Sequence, residues 1–460
     1  MTADGDTPVA RALAEWVVRL RLDDIPADVR HAACRHLLDG LGTGLAAARE
    51  GAADPAVTVA IGLGGPPEAT VLGGRTRISA PAAALATGTL VHALDFDDTH
   101  AGGLVHATAA VLPATLAVGE QVGASGADVL TAAVIGYEVV CRTAAAAPHA
   151  FHARGLHATS VCGVLAAAAV AGRLSGLDAA RLTSALGIAG SSAGGLLEFL
   201  HTGSSTKQLH PGLAGSAGIV AARLAAAGAS GPDTVLEGGY GIYAALAGRA
   251  DVEAKSVLDG LGDRWETTRI TVKPYPACQL LHASLDAALA LPRGDVVSVV
   301  AELHPDAVPI VAEPRPSKVR PRTPYGAKFS LPWSVAAALA DGRVDVRTYA
   351  PERLDRPEVT ALADRVTVRV VDLPGPAADA PGRLVATLAD GREVVAETAR
   401  SRGGPETPLS DVDLVAKAVA NAGGASAATA ALVRATLDLA AEPDLTRLLD
   451  AAATIGGSDS

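Results

Sequence analysis

Aromatics, lysine and cysteine are all scarce in this chain, and each shortage excludes something. Three Trp, six Tyr and four Phe amount to 3% of 460 residues. The core must therefore be built from Ala, Val and Leu, which favours closely packed helices over an aromatic-rich β-sandwich. Four cysteines (Cys34, Cys141, Cys162, Cys278) are scattered without a CxxC pair. That pattern excludes a disulfide framework or a cysteine zinc site and predicts reduced, buried thiols. Six of the 38 basic residues are lysines: Lys207, Lys255, Lys273, Lys318, Lys328 and Lys417. Long basic runs are absent and the formal charge is −11, so nucleic acid and anionic membranes are excluded as partners. Nowhere does an unbroken apolar run reach the ~20 residues of a membrane span. The start, MTADGDTPVARALAEW, is acidic and lacks the apolar stretch of a signal peptide; a cytoplasmic protein is expected.

What is present is a 49% hydrophobic composition over a length that suggests about two or three domains. Residues 1 to about 265 read as helix. Leu13, Trp16, Val17 and Leu20 recur at helical spacing, as do Ala33, Leu37, Leu41 and Leu45. Further helices are predicted near 80–97, 108–121, 126–146, 157–174, 178–189 and 206–227. Near 266 the pattern changes. Residues 267–272, 297–303 and 365–371 read as strands, and 384–388 and 393–398 flank an Asp390-Gly391 hairpin turn. Helices near 279–291 and 332–341 interrupt them, and the helical pattern returns from about 409. The predicted fold is mainly α: a discontinuous helical domain (1–265 and 402–460) carrying an inserted, smaller α+β lid domain (266–401). The cleft between two such domains is a natural place for a small-molecule site.

Two glycine motifs fail on context. Gly190-Ser191-Ser192-Ala193-Gly194 matches a nucleophile elbow, but the preceding residues read as helix and no βα units surround it. Gly40-Leu41-Gly42-Thr43-Gly44 sits inside a helical pattern without the strand that a dinucleotide loop requires. The polar chemistry instead gathers in four segments. In 92–106 (HALDFDDTHAGGLVH), three carboxylates and three histidines fall within fifteen residues. As a helix it would align His92, Asp95 and Thr99 on one face, with Gly102-Gly103 breaking it before His106. It reads as a solvated helix end, a divalent-metal site, or an acid–base centre in which a carboxylate fixes an imidazole tautomer. The segment 154–160 (RGLHATS) opens a helix at His157. In 203–212 (GSSTKQLHPG), Lys207 and His210 follow Gly, Ser and Thr, which makes either a carboxylate cradle or an exposed loop. In 273–282 (KPYPACQLLH), Cys278 is either a nucleophile or a small buried residue.

These segments, with AKFSLPW at 327–333, resemble in order the motifs of the MmgE/PrpD family, which includes 2-methylcitrate dehydratase, cis-aconitate decarboxylase and iminodisuccinate epimerase. The resemblance covers nearly the whole chain. It implies a helical domain with an α+β lid, a homodimer, no cofactor and no metal, and a small carboxylate substrate. Carried over by motif, the catalytic residues are Asp95, His106, His157 and Lys207, with Thr99, Lys273, Cys278, His282 and His210 lining the substrate. In the decarboxylase branch a histidine follows the equivalent of Tyr275-Pro276-Ala277; here Cys278 stands there. That departure weakens decarboxylation and places a cofactor-independent hydro-lyase first: a base removes a proton α to a carboxylate while an acid protonates the leaving hydroxyl. Epimerisation of a dicarboxylate comes second, cis-aconitate-type decarboxylation third and a non-catalytic helical binding protein last.

Overall fold

The structure, a computed structural model, describes residues 7–249, 251–292 and 296–457. The acidic residues at 1–6 lie outside it. The first half is a stack of helices: α1 (Val9–Arg19), α2 (Ala27–Arg49), α3 (Asp54–Leu63), α4 (Ala80–His92), α5 (Ala107–Val122), α6 (Gly126–Ala145) and the short α7 (Ala150–Ala153). It continues through α8 (Ala158–Leu174), α9 (Ala179–Gly190), α10 (Phe199–Thr202), α11 (Thr206–Ala226) and α12 (Ile242–Ala245). Three two-residue strands join β1 (Ala69–Thr70) to β2 (Arg77–Ile78) and set up β3 (Thr99–His100). Helices α4, α5, α8 and α11 pack on one another, and small residues bring them close. A Cβ on Gly212 would lie 2.2 Å from the Leu85 carbonyl oxygen, and one on Gly218 2.5 Å from the Ala167 methyl.

After β4 (Ile270–Thr271) come α13 (His282–Ala290), β5 (Val296–Leu303), α14 (Val308–Val311), α15 (Arg315–Val319), α16 (Pro324–Ala327), α17 (Leu331–Asp341) and α18 (Pro357–Ala363). β6 (Val366–Val370), β7 (Gly382–Leu388) and β8 (Glu393–Thr398) complete a four-stranded sheet of order β6-β5-β7-β8. β5 is parallel to β6 and antiparallel to β7, and the β7–β8 hairpin turns at Asp390-Gly391 as the sequence predicts. Its buried face carries Val299, Ala301, Leu384 and Ala386 at alternate positions, the period-2 signature of a half-buried sheet. The helices α13 and α17 cover it. The chain then forms α19 (Asp411–Asn421), α20 (Ala427–Leu437) and α21 (Thr446–Gly456). The fold is mainly α with a smaller α+β part, as expected.

The buried hydrophobics separate accordingly. One core runs from Val9 to Ile270 and takes in Leu432 to Ala452; a second spans Tyr275 to Ala396. Leu38, Val272, Leu414 and Ala418 form a small third cluster where the chain crosses over. Among the described residues, no helix is long and apolar enough to cross a membrane.

Two local expectations are corrected. The helix predicted to 97 ends at His92, so His92, Asp95 and Thr99 do not share a helical face; Asp95 adopts φ 52° and Thr99 is in a strand. The polar run His-Ala-Leu-Asp-Phe-Asp-Asp lets side chains compete with the backbone for hydrogen bonds, which favours a turn. The strand predicted at 267–272 is mostly a 3-10 turn, Glu266–Arg269, with only Ile270–Thr271 extended. There Glu138 draws in the Glu266 and Thr267 amides at 3.1 and 2.9 Å, which bends the backbone.

Candidate active site

The four polar segments meet in one buried volume, because helix ends deliver them there. His92 is the last residue of α4; His106 and His157 are the N-caps of α5 and α8; Lys207 and His210 lie in the first two turns of α11. The rings of His92 and His106 are 4.5 Å apart, His106 and His157 5.9 Å, and His157 and His210 5.2 Å. Three helix N-termini therefore converge, and their partial positive charge favours an anion. β3 pairs with β4 in antiparallel register, Thr99 against Thr271. This pairing brings Lys273, two residues beyond β4, under the turn at Asp95.

Asp95 is the hub. Its Oδ1 accepts from Lys207 Nζ at 2.6 Å and lies 3.5 Å from Lys273 Nζ and 3.9 Å from His106 Nε2. Burial works against its charged form, but Lys207 and Lys273 hold the carboxyl well below its ordinary range. Asp97 is a second anchor. One oxygen meets His92 Nδ1 at 2.9 Å and stands 3.3 Å from His106 Nδ1. Burial again opposes ionisation, and the two imidazoles outweigh it, so Asp97 too is held low. At His92, the hydrogen bond to Asp97 places the hydrogen on Nδ1 and leaves Nε2 as a lone pair. His106 Nε2 faces Lys207 Nζ at 3.3 Å. Burial first, then Lys207, pull His106 down to about 3. His157 Nδ1 and His210 Nδ1 share one hydrogen at 3.0 Å. Both are held below their ordinary range, chiefly by burial, His210 at about 4.

Among the described residues, Asp95 Oδ2, Asp97 Oδ1, His92 Nε2, Thr99 Oγ1 and Tyr325 Oη have no hydrogen-bond partner. Buried polar atoms of this kind are normally satisfied, so these are the positions a polar ligand would complete. His92, His106 and His157 also have ring nitrogens within 4.8 Å of one another, and ring nitrogens of His92 and His106 lie equally close to carboxylate oxygens of Asp95 and Asp97, a donor set of the kind that holds a divalent metal. Lys207 Nζ at His106 Nε2 puts a fixed positive charge at that approach, which opposes a cation there.

The sequence-predicted residues divide as follows. Asp95, His106, His157, His210, Lys207 and Lys273 form one contact network. Thr99 is buried one strand away. The Cys278 thiol is pushed up by burial and by Asp95, which makes it a weak nucleophile. His282 lies apart from the imidazole cluster: its Nε2 binds the Ala277 carbonyl at 3.0 Å and its ring packs 5.3 Å from Tyr275. The exposed-loop alternative for Lys207 is overturned; the residue is 5% exposed and lies within α11. Sequence reasoning missed Asp97 and His92 as site members, although both lie in the segment it singled out. It also missed Tyr325, just upstream of AKFSLPW, whose buried hydroxyl is raised by burial and then by Asp95 and Asp97. His152, 6.3 Å from His157, was not singled out either.

The sequence matches the MmgE/PrpD N-terminal domain over residues 11–255 and the MmgE/PrpD C-terminal domain over residues 275–442. Of three similar curated proteins, two are named decarboxylases and one decarboxylase-like. The cis-aconitate decarboxylase-like protein oryM of Aspergillus oryzae is 29% identical over 440 residues, 90% of this chain and 91% of that protein. Cis-aconitate decarboxylase of Aspergillus terreus is 28% identical over 389 residues, 78% of each chain. Cis-aconitate decarboxylase of Homo sapiens is 30% identical over 358 residues, 74% of this chain and 72% of that protein.

Proposed function

Because the chain belongs to the MmgE/PrpD family, we propose that it is a lyase acting on a small tricarboxylate by acid–base chemistry next to a carboxylate, with decarboxylation of a cis-aconitate-type acid as the first reaction to test. The observation that carries this reading is the convergence of His92, His106 and His157 with Lys207 and Lys273 on two buried carboxylates. Lys207 Nζ has three N–H donors; Asp95 and His106 engage two, leaving one for a substrate carboxylate.

The substrate itself tunes the acid and base. With no substrate bound, the imidazoles are held neutral by burial and by the lysines. A bound polyanion brings opposite charge to these rings and raises their affinity for protons. The site therefore acquires its general acid as it binds. In decarboxylation, the bond from the substrate's CH2 carbon to its carboxylate breaks. Its electron pair forms a new C=C, and the distal alkene carbon takes a proton, here assigned to the His157–His210 pair. Lys207 and the three helix N-termini stabilise the charge that develops. Dehydration uses the same groups: once the Lys207 N–H that His106 Nε2 accepts turns to the substrate carboxylate, His106 Nε2 removes the α-proton and the His157 side protonates the departing hydroxyl. This second reading is favoured by Cys278, which occupies the position where the decarboxylase branch carries histidine.

Incubating the purified protein with cis-aconitate and with 2-methylcitrate in D2O tests the proposal by NMR. Loss of CO2 supports the first reading, loss of water the second, and α-deuteration without either supports an epimerase. No change in either acid would sink the lyase reading. Exhaustive EDTA treatment is expected to leave turnover unchanged. We read the working form as a homodimer through the helical part, where Leu213, Val220 and Leu224 expose one apolar stripe of α11. Light scattering at micromolar concentration should give about twice the 45.9 kDa chain mass.

A further inference from the structure

Four side chains from four separate segments each donate to one of four consecutive carbonyls in the turn that carries Asp95. Gln208 Nε2 of α11 donates to the Ala93 carbonyl at 2.9 Å. Lys328 Nζ, just past α16, donates to Leu94 at 2.7 Å. Lys273 Nζ donates to Asp95 at 2.9 Å, and Lys417 Nζ of α19 to Phe96 at 3.0 Å. The turn is buried from Ala93 to Asp98, where a carbonyl left without a donor carries its full desolvation cost. With Asp95 at φ 52°, the backbone leaves helical geometry here, and side chains take over its hydrogen bonding. Counting Lys207 on the Asp95 carboxylate, four of the chain's six lysines end on residues 94–96.

Lys328 does more than satisfy one carbonyl. Its Nζ also donates to Pro276 at 3.0 Å, so it ties the α+β part of the molecule to the turn. Burial draws it down to about 7, and a neutral amine keeps two N–H donors, so both contacts survive in either state. Lys417 is paired with Asp39 at 2.6 Å and lies 3.8 Å from the Phe96 ring centre. Lys273 already belongs to the proposed binding machinery. Gln208, Lys328 and Lys417 touch none of the reacting groups.

We infer that Gln208, Lys328 and Lys417 are positioning residues, a clamp on backbone carbonyls that fixes the 93–96 turn and thereby holds the Asp95 carboxylate between Lys207, Lys273 and His106. The inference rests on the reading of Asp95 and His106 as site residues, so its test includes a measurement that needs no substrate. Hydrogen–deuterium exchange on the full-length protein is compared for wild type, Gln208→Leu and Lys328→Met. The peptide covering 93–98 should exchange at least tenfold faster in both variants, while the α5 peptide (107–122) stays unchanged. With turnover, kcat should fall at least tenfold at a KM within threefold of wild type. Lys328→Gln, which restores two neutral donors, should recover most of the loss. Gln208 is half-buried, so Gln208→Leu is expected to fold; should Lys328→Met not fold, Gln208→Leu and Lys328→Gln decide. Wild-type exchange at 93–98 in Gln208→Leu, or Lys328→Gln no better than Lys328→Met, would overturn the clamp. A wild-type protein inactive on every acid would count against the proposed function alone, because the exchange result stands without it.

Discussion

At the scale of single residues, four of the chain's six lysines are buried: Lys207, Lys273, Lys318 and Lys328. Lys207 is the sharpest case. As an exposed loop residue it would be silent when truncated; as the buried partner of Asp95 it is not. Lys207→Ala should lower kcat/KM by about a hundredfold or more, the scale of losing one preorganised electrostatic donor. It should also destabilise the fold. Losing one partner of a buried pair costs about 3–5 kcal/mol, and because Lys273 remains 3.5 Å from Asp95, the lower end of that range or less is expected. Lys255→Ala, an exposed position outside every polar segment, is the control for both the assay and the thermal melt. Equal activity in the two variants would remove Lys207 from the site.

At the scale of elements, the site depends on how closely helices approach. Gly88 of α4 lies against Gly212 of α11, where an added Cβ would meet the Gly212 N and Cα at 2.7 Å. These are backbone atoms, so the helices must separate to admit a methyl group. His92 lies one turn beyond Gly88 and Lys207 one to two turns before Gly212, so separating the helices pulls the site apart. Gly88→Ala should therefore destabilise the protein by about 1–3 kcal/mol, the usual penalty of overpacking, and lower kcat as well. A variant with wild-type melting and wild-type kcat would show that this contact does not set the site.

At the scale of the whole molecule, buried imidazoles make stability depend on pH. Burial pulls His36, His152 and His210 down to about 4, and His106 and His282 to about 3. Once unfolded, these histidines titrate near 6.5. Between those values the unfolded chain binds more protons, so their contribution to stability is complete above about pH 6.5 and is lost as pH falls toward 3–4. Asp39 and Asp98 oppose this. Burial raises them to about 6 and about 7, so the folded state takes up their protons first and is favoured as pH falls through that range. With His157, likewise held low by burial, six imidazoles against two carboxyls give the expected sign: melting temperature should fall steadily from pH 7 to pH 4.5. A constant or rising value would refute it.

Much of this was legible in the sequence, for a physical reason. Helical periodicity and strand alternation are local signals, written into neighbouring residues by the burial of one face. They gave the boundaries of α5, α8, α11 and β6 to within a few residues, together with the overall α and α+β character. Polar residues that must share a buried volume also stand out in a chain otherwise rich in Ala, Val and Leu, so the four segments were recognisable before their meeting place was known. What the sequence could not show is which atoms meet. The Asp95 turn is shaped by carbonyl partners 112 to 321 residues away, and Lys207 is buried only because α11 packs on α4 and α8. The shared hydrogen of His157 and His210 likewise exists only once two helix starts are brought together. Periodicity fixes which face of each element is buried. The contacts between distant buried faces, and with them the tautomers, the ion pairs and the clamp on the turn, are decided by tertiary packing alone.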